Sequence, residues 1–160
     1  MNTFERAHLA AQGYFELEMY EEAIRVLDRL SFEDQLRSEV LELRVVVQMK
    51  ACRWKEALVA SERLCAMAPD VPIGFIHAAF CLHELGCTRE AKELLLEGPP
   101  SLVKEATYHY NLACYECVLG NLETAQAYLE TSVSLDFKLR EFAKEDPDLK
   151  PLHPAKKKKK

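Results

Sequence analysis

The sequence predicts an all-α solenoid of four helix–turn–helix repeats plus a C-terminal capping helix. Three observations predict it. Ala23, Ala57, Ala91 and Ala125 stand 34 residues apart three times running, the period of a helix–turn–helix array. The residues around them keep the same phase. Proline punctuates the junctions: Pro69 and Pro72 mark the second, Gly98-Pro99-Pro100 the third.

The phased positions explain how the helices pack. Three residues before each alanine come Tyr20, Trp54, Thr88 and Leu122, and four after come Leu27, Ser61, Leu95 and Leu129. Twelve before come Ala11, Val45, Ala79 and Ala113; thirteen before, Ala10, Arg44, Ala78 and Leu112. Small residues at two phases let paired helices approach closely, and large residues elsewhere fill the space between pairs. Five before come Glu18, Cys52, Gly86 and Gly120, at the turn inside each pair.

Taken in order, helices are expected near 3–17 and 20–30, 34–50 and 54–67, 71–85 and 88–97, and 102–118 and 122–134. Short connections make neighbours antiparallel, and Asn121 is placed to cap the last paired helix. The repeats span about 3–33, 37–70, 71–100 and 104–137. A further helix near 137–144 opens a cap over 137–150, whose Phe137, Leu139, Phe142 and Ala143 are placed to cover the open face of the fourth pair. Residues 1–150 thus form one domain, followed by a flexible Lys-rich tail at 151–160.

Tyr20-Glu21-Glu22-Ala23, Trp54-Lys55-Glu56-Ala57, Gly86-Cys87-Thr88-Arg89-Glu90-Ala91 and Gly120-Asn121-Leu122-Glu123-Thr124-Ala125 resemble the tetratricopeptide repeat. The resemblance covers roughly 3–137 and is best in the third and fourth repeats. Arg44 and Ser61 replace apolar residues in the second, and Glu18 stands where a turn glycine is usual. Asn111-Leu112-Ala113-Cys114 and the stretch Phe142 to Leu152 look like the end of a bacterial array of this kind. The resemblance implies a right-handed superhelix acting as an interaction module. The closing stretch is expected to cap without a binding role.

It also implies a concave face lined by the first helix of each pair. That phasing places His8, Gln12, Phe15 and Glu16 there from the first repeat, then Glu42, Leu43, Val46, Met49 and Lys50 from the second. Ile73, Ile76, His77, Phe80, His83 and Glu84 follow from the third, and Tyr110, Asn111, Cys114 and Cys117 from the fourth. Val46, Met49, Ile76 and Phe80 are expected to anchor a partner peptide or helix, with His77, His83, Tyr110 and Asn111 setting its register. The family's clamp for a C-terminal carboxylate needs fixed cations. Here those phases hold His8, Gln12, Leu43, Ile73 and His77, so that ligand is not expected.

Composition narrows the function classes. Half the chain is apolar (49%), enough for a packed helical core, and no apolar run reaches the ~18 residues of a membrane span. Residues 1–17 lack a basic-then-apolar leader pattern, so a cytoplasmic home is expected. The net charge is −5, with five of the positive charges crowded into Lys156–Lys160. The remainder is therefore more acidic, which argues against nonspecific nucleic-acid binding. No G-x-S-x-G, phosphate loop or H-E-x-x-H occurs, so neither an enzyme nor a cofactor is expected.

Six cysteines in such a chain are expected to be reduced and structural. Cys114 and Cys117 form a lone C-x-x-C, short of a zinc ligand set. The partner is expected to be an unidentified protein or peptide. The alternatives are a secretion-type chaperone for an apolar client, a self-assembly module giving a homo-oligomer, and a thiol- or zinc-dependent sensor.

Overall fold

A computed structural model describes residues 2–153; the Lys156–Lys160 tail lies outside them. Ten α-helices and two 3₁₀ segments make up the described chain: α1 Thr3–Glu16, α2 Tyr20–Asp28, α3 Phe32–Gln35, α4 Ser38–Lys50, α5 Trp54–Met67, α6 Pro72–Glu84, α7 Thr88–Leu96, α8 Ala106–Val118, α9 Leu122–Leu135 and α10 Leu139–Glu145, with 3₁₀ segments at Pro100–Lys104 and Pro147–Leu152. The pairs are α1/α2, α4/α5, α6/α7 and α8/α9. Together they form an all-α helical-repeat solenoid. Among the described residues no helix is long and apolar enough to cross a membrane.

The repeat phase becomes packing. All four period alanines are fully buried, as are Ala11, Val45, Ala79 and Ala113. The turns repeat atom for atom. Met19, Arg53, Cys87 and Asn121 donate their backbone N–H to the carbonyls of Tyr14, Gln48, Leu82 and Glu116 at 2.8, 2.8, 2.9 and 2.8 Å. That six-residue closure requires a left-handed residue just before the donor. Glu18, Cys52, Gly86 and Gly120 all adopt it, with φ of 58°, 55°, 84° and 88°.

Four expectations are corrected. The first connection contains the unexpected turn α3. Ser31 Oγ accepts from Asp34 N at 3.1 Å, and the Gln35 amide donates to the carbonyls of Asp28 and Leu30, closing the end of α2. Hence α4 begins at Ser38 rather than 34. The expected helix 102–118 divides at Glu105, whose extended backbone (ψ 121°) separates the 3₁₀ turn after Pro99-Pro100 from α8. Asn121 stands at the N-cap of α9, but its amide donates to Glu116 Oε2 at 2.7 Å instead of capping. In the closing segment Phe137 and Phe142 stay exposed; Ala143 and the fully buried Leu149 reach the core.

The polar departures of the second repeat find partners inside the fold. Arg44 reaches Asp28 at 2.6 Å, and Ser61 donates to the carbonyl of Ala57 at 2.8 Å. Between the second and third pairs the helices nearly touch. A Cβ on Gly74 would stand 3.1 Å from the backbone nitrogen of Cys65.

Candidate functional site

The first helices α4, α6 and α8 wall an open cleft of about 800 Å³, closed at one end by residues of the C-terminal segment. Met49, Ile73, Ile76 and Phe80 supply its apolar floor, with Leu139 and Phe142 on the far wall. Phe80 is held edge-on against Trp54 (centroids 5.8 Å apart), so the phased aromatic behind the second turn sets the ring in the cleft. Volume and lining are those of a ligand-sized, largely preformed groove.

Two polar groups face this floor. His77 Nδ1 is buried without a hydrogen-bond partner among the described residues. Burial lowers the pKa of His77, so the ring is neutral at neutral pH. Asn111 is 7% exposed and also lines the cleft. A buried group without a partner costs free energy.

The C-terminal segment is latched on by residues that the sequence reading assigned to the partner. Asp148 Oδ2 lies 2.8 Å from His83 Nε2; a carboxylate only accepts, so that nitrogen carries the proton. His83 Nδ1 meets the Thr88 hydroxyl at 2.9 Å, and its ring lies tilted against Tyr115 with centroids 4.8 Å apart. Tyr110 donates to Asp146 Oδ2 at 2.7 Å, and the Cys114 thiol approaches the same oxygen at 3.7 Å. Asp146 Oδ1 accepts from the backbone of Asp148 at 2.9 Å, capping the last 3₁₀ segment.

Of the anticipated partner-binding residues, the cleft therefore gathers Met49, Ile73, Ile76, His77, Phe80, Tyr110 and Asn111. His83 and Cys114 act inward, on the closing segment. Gln12 and Val46 do not line the cleft. The acidic wall from Glu145 to Asp148 was missed, because the closing stretch was read only as a cap. Glu145, Asp146 and Asp148 with Pro147 and Pro151, all within ten residues of that stretch, were the available signal.

Cys114 Sγ and one oxygen each of Asp146 and Asp148 lie within 4.8 Å of one another. This offers three ligand atoms, whereas structural zinc takes four, and both carboxylates already accept hydrogen bonds. Burial first, then the two aspartates, push the Cys114 thiol up, and burial does the same for Cys117. The two cysteines thus sit as protonated thiols, contrary to a reactive pair.

No family model matches the sequence, and no curated protein matches it. Among solved structures, the chain is similar to MamA, in a structure described as the RS-1 ArsTM double mutant. The identity is 16% over 86% of this chain and 77% of that one, with a TM-score of 0.72. The fold is that of a TPR-like helical repeat. At this identity the likeness concerns architecture alone.

Proposed function

We propose that this chain is a protein-interaction module that holds an extended segment or amphipathic helix of a partner in the cleft between α4, α6 and α8. The observation that carries the reading is the cleft itself: about 800 Å³ with an apolar floor and the polar side chains of His77 and Asn111 in its lining. Met49, Ile73, Ile76 and Phe80 anchor apolar side chains. His77 and Asn111 offer hydrogen bonds to the bound chain. Tyr110, His83 and Cys114 contribute by fixing the wall that closes the groove. The TPR-like architecture supports a scaffold role.

The test compares the chain with its Ile73→Gln/Phe142→Gln variant in affinity capture from source-cell lysate. Ile73 is 40% and Phe142 67% exposed, so the variant keeps its core, which circular dichroism verifies. A protein retained by the unaltered chain and lost by the variant supports the reading. Equal retention by both contradicts it.

A further inference from the structure

Around the apolar floor the cleft is acidic throughout. Glu84 ends α6, Glu105 precedes α8, and Glu145, Asp146 and Asp148 form the far wall. Among the described residues no lysine or arginine lines the cleft. Its histidine, His77, is neutral, because burial lowers its pKa.

Three of the five carboxylates have no cationic partner among the described residues. Glu84, Glu105 and Glu145 make no salt bridge among the described residues, whereas Lys144, close by in sequence, pairs with Glu141 at 2.6 Å. Asp146 accepts from a neutral phenol, which leaves its charge in place. Asp148 faces His83. A concave site with low-dielectric walls focuses such a field, and the raised acidity threshold of the Cys114 thiol beside Asp146 and Asp148 fits a negative local potential.

We infer that the occupant is a cationic amphipathic segment of a partner protein. Apolar side chains such as Leu, Met or Phe seat on Ile73, Ile76 and Phe80, and flanking lysines or arginines face Glu84, Glu105 and Glu145. This rests on the groove reading above and names its partner class. Acidic and neutral segments are selected against: they bury the carboxylates without compensation.

The experiment is selection from a random twelve-residue phage-displayed peptide library on the full chain, with winners synthesised and titrated by fluorescence anisotropy. Two variants accompany it: Ile73→Gln/Phe142→Gln, and Glu84→Gln/Glu105→Gln/Glu145→Gln, whose three glutamates are exposed. The expected peptides join an apolar anchor to two or more Lys or Arg. They bind about tenfold more weakly to the triple variant and weaken as salt rises. Peptides lost on the first variant but neutral or acidic, or indifferent to the triple variant, overturn the charge inference and leave the groove standing. Peptides indifferent to the first variant, or no enrichment, overturn both.

Discussion

The first two helix pairs and the last two close the same turn with different residues. Glu18 and Cys52 are forced into the left-handed region, where Gly86 and Gly120 sit without penalty. The cores differ in the same direction. From Ile76 to Leu149 one buried cluster runs through α6, α7, α8, α9 and the closing segment, whereas the first two pairs divide their apolar residues among smaller clusters. In α4, Arg44 and Gln48 each leave a buried atom without a partner among the described residues. Local stability follows buried apolar contact and satisfied polar groups. One repeat can therefore build a looser and a firmer half, and the cleft lies mainly on the firmer one.

The largest effect is expected at Leu149, which is 0% exposed. Leu149→Ala costs about 2–5 kcal/mol in denaturant unfolding and lowers amide protection in α8. Leu27→Ala, also at a fully buried leucine, lowers protection in α1 and α2 first. Hydrogen exchange separates the two, and protection lost first in α8 and α9 of the unaltered chain breaks the comparison.

Next comes the seam between the halves. Gly74→Val drives a side chain against Cys65 and Leu64, whose nearest atoms stand 3.1 and 3.2 Å from a Cβ, and costs about 1–3 kcal/mol. A smaller, opposite change follows at the strained turns. Glu18→Gly and Cys52→Gly each stabilise by about 1 kcal/mol, read from the midpoint of chemical unfolding. No gain at either site contradicts the strain assigned to them.

The smallest effect is a pH dependence. Burial lowers the pKa of His77 in the folded chain, while the unfolded chain protonates near its ordinary value of about 6.5. Stability from this group is therefore complete above that value and is lost as pH falls through the lowered, folded one. Unfolding between pH 7 and pH 5.5 shows a flatter slope for His77→Gln than for the unaltered chain.

The array was legible because its period binds side-chain size to position: an alanine every 34 residues is a packing requirement, and each one is fully buried. Glu18 and Cys52 also obeyed the phase although their chemistry did not suggest a left-handed turn. The α3 turn was hidden, because it depends on the Gln35 side chain reaching back to two carbonyls, a contact without periodicity. In the cleft, phasing identified floor residues such as Ile76 and Phe80. It could not reveal that residues 139–148 fold back to form a wall, since that docking pairs Asp148 with His83 across 65 positions. His83 and Tyr110 look identical in sequence whether they face a partner or the chain's own end.

The most direct measurement is amide chemical-shift mapping of the isotope-labelled chain titrated with a library-selected peptide. The account predicts perturbations clustered in α6, at 105–111 around the start of α8 and at 139–148, with α7 and α9 unmoved. Shifts centred on α7 and α9, or spread evenly over the molecule, contradict it.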